Sequence, residues 1–195
     1  MNFEKKIPGL IQKAKNEIIS GERIYLRCLT EDDVSEKYVS WLNDSKTTKY
    51  LVTKHTTLGE LIQYVNERYS SPTTLFWGIY CKKNDLHVGN IKLEPIDIEK
   101  NVATLGILVG EKSMSGKGIC TETIQCILDY GFNVLPLNSI FLGVERENFA
   151  AQKCYKKCGF NYLLEQEEDI ISHAENGGYR MKINSKDFKR QLFEV

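Results

Sequence analysis

The stretch Val109–Phe132, VGEKSMSGKGICTETIQCILDYGF, decides how this chain is read. At its centre, Ser115-Gly116-Lys117-Gly118-Ile119-Cys120 puts two glycines one residue apart, directly before apolar residues at helical spacing. The first N–H groups of a helix have no partner within it, and the dipole there is positive, so an anion is favoured. Glycines let the backbone wrap an oxygen with no Cβ in the way. Lys117 adds a positive charge at the rim. The stretch therefore reads either as a phosphate cradle or as a plain strand-to-helix turn. Two phosphate motifs are excluded by the residues themselves. A Walker loop needs glycine five positions before Gly116 and Ser or Thr after Lys117, where Glu111 and Gly118 stand. A dinucleotide fingerprint needs a third glycine at the position of Thr121, inside a βαβ unit that the sequence does not suggest.

Outward from this stretch, composition sets the bounds. The 195 residues suit one ordinary domain with a sizeable core. Lys+Arg and Asp+Glu are both 26, so the net charge of zero argues against a nucleic-acid footprint. No apolar run reaches membrane-span length, and MNFEKKIPGLIQKAKNEIIS lacks a signal-peptide core, so a cytoplasmic location is expected. Six cysteines are scattered without CxxC pairs. Cys154 and Cys158 would share a helix face. A metal site would need further ligands, and the histidines are only His55, His87 and His173. Reduced thiols and no metal are therefore expected.

Periodicity gives the element order. Residues 3–20 read as an amphipathic helix, with Leu10, Ile11, Ala14, Ile18 and Ile19 at helical spacing and Pro8 in a first turn. A strand over GERIYLRCL is followed by a helix entry capped by Thr30 and by helices through VSEKYVSWLND and residues 57–69. Strands follow at 74–82, 87–97 and 102–110, the last two as a hairpin. Beyond the glycine stretch come a helix (120–133), a strand (138–145) and a helix (148–160) with Asn148 as N-cap and Gly159 at its end. NYLLEQ and GGYRMKIN close the chain as strands. The order is that of a mixed α/β (α+β) domain, not of repeated βαβ units.

Ser115-Gly116-Lys117-Gly118-Ile119-Cys120 resembles the pyrophosphate-binding loop of the GNAT acetyltransferase superfamily, Arg/Gln-x-x-Gly-x-Gly/Ala. Gly118 matches, Ser115 replaces Arg/Gln, and Cys120 replaces Gly/Ala. The backbone N–H donors are left intact. YLRCLTEDDV resembles the family's first strand and helix entry, and VGNIKLEPID with VATLGILV its central hairpin. Asn148, Ala151, Tyr155, Gly159 and Phe160 resemble its late helix, and GGYRMKI its closing strand. The resemblance covers about residues 22–184, in the family's order. It implies a largely antiparallel sheet of about seven strands flanked by helices. Residues 1–21 would be an extra N-terminal helical extension and 22–195 the acetyl-CoA-binding domain.

The resemblance also implies a reaction, attack of a neutral amine on the thioester of acetyl-CoA. In the family two strands part and the freed backbone holds the pantetheine arm, which carries over to Ile107, Leu108 and Val109. The pyrophosphate would lie on Ser115, Gly116, Lys117, Gly118, Ile119 and Cys120, and Asn148 would lie near the arm. Tyr155 matches the tyrosine that protonates the departing sulfur. A phenol of pKa ~10 is reasonably matched to a thiolate whose conjugate acid lies near ~8.5. Many relatives carry a glutamate base where Thr104 stands here, so Glu94 and Glu145 become the candidate bases, with His87, His173 or a water chain behind them. The acidic run 165–169 reads as an acceptor mouth or as a solvated loop.

The forms most closely resembled are the nucleotide-sugar amine and the ribosomal-protein N-terminal acetyltransferases. WLNDSKTTKYL (41–51) favours an amino-sugar nucleotide as the acceptor amine, with a protein N-terminal amine as the alternative. Ser115, Cys120 and Thr104 motivate a second class, a CoA-binding regulatory module without turnover. A structural domain that binds no CoA is a third. No nucleic-acid or membrane partner is expected, and the chain would be a monomer or a homodimer.

Overall fold

A computed structural model describes residues 6–50, 55–163 and 178–189. Among them are helices α1 (Lys6–Ala14), α2 (Glu36–Asn43), α3 (Leu58–Ser70), α4 (Ile119–Asn133) and α5 (Phe149–Lys157). The strands are β1 (Ile19–Ser20), β2 (Ile24–Cys28), β3 (Leu75–Cys81), β4 (Leu86–Asp97), β5 (Val102–Val109), β6 (Ser139–Val144), β7 (Asn161–Tyr162) and β8 (Tyr179–Asn184). They form a single sheet of order β1-β2-β3-β4-β5-β6-β8-β7. Every neighbouring pair is antiparallel except β5 and β6. The mixed, mostly antiparallel α/β architecture expected from the sequence is present, with eight described strands rather than about seven. His173 and the run 165–169 lie outside the described residues.

The extra strand is β1, and it corrects the long N-terminal helix. Helix α1 ends at Ala14, and Ile18 is 64% exposed. The chain then pairs with the edge of the sheet, Ile19 opposite Leu26 and Ser20 opposite Tyr25. Edge N–H and C=O groups gain partners by this pairing, and a two-residue strand carries no periodicity by which to announce itself. Ile11 and Ala14 are each 1% exposed and belong to the main core.

The sheet separates two apolar clusters, because strand side chains alternate between faces. In β3, Leu75, Trp77 and Ile79 pack with Ile11, Ile124, Ile127 and Leu128, on the face covered by α1 and α4. Phe76 packs instead with Tyr38, Leu42, Leu61 and Val65, on the face covered by α2 and α3. Helix starts follow the local chemistry. The Ser35 hydroxyl accepts from the Tyr38 N–H, and Thr57 and Glu60 form a reciprocal capping box.

What positions the site is the relation of β5 to its neighbours. On one side β5 pairs with β4 from Asp97↔Val102 to Gly89↔Val109, interrupted by a register shift between Leu93 and Ile96. On the other side it meets β6 over three pairs only, Val102↔Ser139, Ala103↔Ile140 and Thr104↔Phe141. Beyond these pairs the strands part, so the β6-facing edge of β5 past Thr104 has no strand partner.

Candidate active site

The parted strands open into a cavity that runs from Lys92 and Glu94, along Leu105–Gly110, to the first turn of α4. Ile107, Leu108 and Val109 line it from β5; Ser115, Gly116, Gly118, Ile119 and Cys120 from the loop; Glu145, Asn148 and Tyr155 from β6's end and α5. Glu94 lies in the same lining. Of the residues carried over as co-substrate contacts, only Lys117 does not line the cavity. It is exposed, and its backbone carbonyl accepts a hydrogen bond from Arg23 Nη1 at 2.8 Å.

The loop owes its path to Gly116 (φ 72°) and Gly118 (φ 78°), both in the left-handed region, with Gly118 as the N-cap of α4. A side chain at either position would strain the backbone. Gly118 C=O accepts the first helical bond, from the Glu122 N–H at 3.0 Å. The N–H groups of Ile119, Cys120 and Thr121 have no acceptor within the helix and stand at the positive end of its dipole. The cradle suits a pyrophosphate, and the unpaired edge of β5 suits an extended amide-bearing arm, so the residues present fit coenzyme A.

Sequence reasoning missed the buttress beneath this loop. Glu122 is fully buried on α4, and its carboxylate accepts from Arg23 N (2.7 Å), Arg23 Nε (2.8 Å) and Ile24 N (3.3 Å). Arg23 thus ties the loop carbonyl at Lys117 to the helix and to the start of β2. The loop has Ser115 where the family pattern has Arg or Gln, and Arg23 supplies a guanidinium from elsewhere in the chain. The signals were a charged residue at a strand start and an acid in a helix's first turn, but nothing local pairs positions 99 residues apart.

Asn148 caps α5, its side-chain oxygen accepting from Ala151 N at 3.2 Å. Tyr155 is 8% exposed, with its ring 6.2 Å from that of Phe160. Burial, and then the charges of Cys120, Cys154 and Cys158, push its phenol far above the ordinary range. It is therefore protonated, the form able to donate, though a weaker acid than the free phenol assumed from the sequence. Burial pushes the Glu94 carboxyl up, but Lys92, which hydrogen-bonds it, and Arg68, 3.4 Å away, outweigh that and hold it below its ordinary value. A carboxylate held down in this way is a weak base. Glu145 sits where β6 ends, and its backbone carbonyl accepts from Asn148 N (3.0 Å) and Gln152 Nε2 (3.0 Å).

His87 is not at the cavity. It lies in an aromatic cage, stacked on Tyr80 at 5.0 Å and edge-on to Tyr38 and Trp41. Burial lowers its pKa to about 4, so it is neutral at pH 7. Thr104 Oγ1 is buried without a hydrogen-bond partner and is not in the cavity lining. Among the described residues no cluster of His, Cys, Asp and Glu could hold a metal, and no helix is long and apolar enough to cross a membrane.

Comparison with known proteins places this geometry. The family model described as an acetyltransferase (GNAT) domain matches residues 23–161. An uncharacterized N-acetyltransferase, p20, of Bacillus licheniformis is 29% identical over 169 residues, 85% of this chain and 91% of that protein. The spermidine N(1)-acetyltransferase of Escherichia coli (strain K12) is 32% identical over 103 residues, and the match spans about half of either protein (53% of each). Among solved structures, spermidine N-acetyltransferase from Vibrio cholerae in complex with CoA and spermine superposes with a TM-score of 0.71 at 24% identity, covering 85% of this chain and 97% of that one. A GCN5-related N-acetyltransferase from Brucella melitensis gives a TM-score of 0.72 at 18% identity, over 88% and 80%. The chain belongs to the GNAT family of N-acetyltransferases.

Proposed function

We propose that this N-acetyltransferase moves the acetyl group of acetyl-CoA to the primary amine of a small molecule that also carries negative charge, an amino-sugar nucleotide in the first instance. The observation that carries the acetyl-CoA half is the joining, in one cavity, of the parted β5 edge and the left-handed glycine loop at the start of α4. In this reading the loop and first-turn N–H groups hold the pyrophosphate and the β5 edge aligns the pantetheine arm. The amine nitrogen attacks the thioester carbon, a C–N bond forms and the C–S bond breaks. Tyr155 O–H gives its proton to the departing sulfur. The proton leaving the amine goes to Glu145, directly or through water, rather than to Glu94, which Lys92 and Arg68 hold.

The charge of the lining supports an anionic acceptor. Lys46, Lys49, Lys92, Lys112, Arg146, Lys153 and Lys157 stand against Glu94, Glu145 and Glu147. The phosphates of acetyl-CoA in the same cavity would neutralise part of this excess, and a phosphate-bearing amine, unlike a polycation, would be drawn to what remains. A polyamine acceptor is the second reading, favoured by the spermidine acetyltransferases among the relatives. The deciding experiment is thiol release from acetyl-CoA with UDP-amino sugars, spermidine and N-terminal peptides offered in parallel. Turnover highest with an amino-sugar nucleotide is expected. Preference for spermidine moves the acceptor to the second reading. Binding of acetyl-CoA with no turnover on any amine sinks the enzymatic reading in favour of a CoA-binding module.

A further inference from the structure

Three of the six cysteines, one from α4 and two from the end of α5, converge beside the loop. Cys154 Sγ on α5 lies 3.0 Å from Cys120 Sγ in the first turn of α4, and 3.4 Å from Thr121 Oγ1. Cys158, one helical turn further on, is 2% exposed, with its sulfur directed at the Thr121 carbonyl at 3.8 Å. Cys120 and Cys154 both line the cavity, so a small solute can reach them. No cysteine in the chain is in a disulfide.

We infer that Cys120 and Cys154 form a peroxide-reactive dithiol whose oxidation to a disulfide closes the acetyl-CoA site. The sulfurs need to approach by only about 1 Å to reach the S–S bond length of about 2.05 Å. Cys154 is the attacking group. The contacts of its sulfur with Cys120, Cys158 and Thr121, and the positive charge of Lys157, hold its pKa below the ordinary thiol range against the effect of burial. Cys120, whose sulfur is 3.0 Å away, is the resolving thiol.

The thiolate of Cys154 attacks one oxygen of hydrogen peroxide, the O–O bond breaks, and the released hydroxide takes up a proton to leave as water. The sulfenic acid on Cys154 is then attacked by Cys120 sulfur. The S–S bond forms, the S–O bond breaks, and the oxygen departs as a second water with the thiol proton. Two thiols and one peroxide become one disulfide and two waters. The cross-link would bind the first turn of α4, whose N–H groups form the phosphate cradle, to the helix that carries Tyr155. The cradle could then no longer adjust to the pyrophosphate, and the bonded sulfurs would stand in the cavity wall.

The closure part rests on acetyl-CoA binding as proposed above; the dithiol part does not. The test treats the full-length protein with hydrogen peroxide, quenches it with a thiol-blocking reagent, and maps cross-linked peptides by mass spectrometry. Acetyl-CoA binding is followed in parallel by calorimetry, before oxidation, after it, and after dithiothreitol. The expected result is a Cys120–Cys154 peptide lighter by two hydrogens, loss of acetyl-CoA binding, and recovery on reduction. Acetyl-CoA added first should slow the cross-link. Cys154→Ser should retain binding after peroxide as well as it did before, each sample being compared with its own reduced form. A disulfide elsewhere, sulfenic acid with no cross-link, or a mapped Cys120–Cys154 bond with unchanged binding would each overturn the inference. If the reduced protein gives no binding heat, the acetyl-CoA reading has failed and closure with it, and the mapped peptide still decides the dithiol.

Discussion

At the scale of single residues, Tyr155 and Glu145 carry the proposed proton transfers, and each can be separated from packing. Tyr155→Phe keeps the ring against Phe160 and removes only the hydroxyl. Loss of a general acid typically lowers kcat about 10²–10⁴-fold. That drop is expected with acetyl-CoA affinity and melting temperature nearly unchanged, measured by thiol release, calorimetry and thermal denaturation. Near wild-type kcat in a chemistry-limited assay would assign the proton to another group. Glu145→Gln should lower kcat more at pH 7 than Glu94→Gln does. The reverse order would make Glu94 the base despite its two cationic partners. The place of Tyr155 and Asn148 beside the cavity was legible in the sequence because one local motif on one helix contains both. His87, placed behind the two glutamates as a base, is a structural residue, and its aromatic cage could not be read locally because it draws on α2, β3 and β4.

Between elements, the loop and its support behave as a unit. Arg23 joins β2 to α4 through the Glu122 carboxylate and to the loop through the Lys117 carbonyl. Arg23→Ala leaves Glu122 buried with backbone donors alone. Hydrogen bonds to charged groups contribute about 1.5–3 kcal/mol each, and half-exposure of the Arg23 side chain puts this one toward the low end. The expected outcome is a higher KM for acetyl-CoA with a modest fall in melting temperature. A fall in melting temperature with KM unchanged would reduce Arg23 to a fold-stabilising residue. The hairpin, the glycine junction and the Asn148 cap were readable because each is written within a dozen residues. Strand β1 and the Arg23–Glu122 buttress were not, because register and long-range pairing are decided by partners the local pattern does not contain.

For the whole molecule, His87 sets an acid limit on stability. It is packed among Tyr38, Trp41 and Tyr80, with Asp33, Arg27 and Lys37 as the nearest charges, and its pKa falls from 6.5 to about 4. Between those values the unfolded chain binds a proton that the native chain does not. Stability is therefore full above pH 6.5 and falls as pH drops toward 4, by up to about 1.4 kcal/mol per unit from this group. Melting temperature should decline over that window, and His87→Phe, which preserves the aromatic contacts, should flatten the decline above pH 5. An equal slope in both proteins would assign the decline to other groups. Mixed architecture and element order were visible from composition and periodicity. The parting of β5 from β6 was expected through family resemblance alone, since parallel pairing over three residues leaves no mark in either strand.

Gly110 directly follows β5 and lines the cavity, and a Cβ there would fall 2.1 Å from the Trp41 ring, so the indole packs directly against its backbone. The chain has one other tryptophan, Trp77, which is fully buried in the opposite cluster beside Tyr130. The two indoles therefore form an intrinsic optical pair. One is insulated in the core as an internal standard, and the other rests on the strand end where the co-substrate's arm would be seated. Acetyl-CoA seated against Gly110 as proposed is expected to change the emission of Trp41 and leave that of Trp77 unmoved, with no label attached.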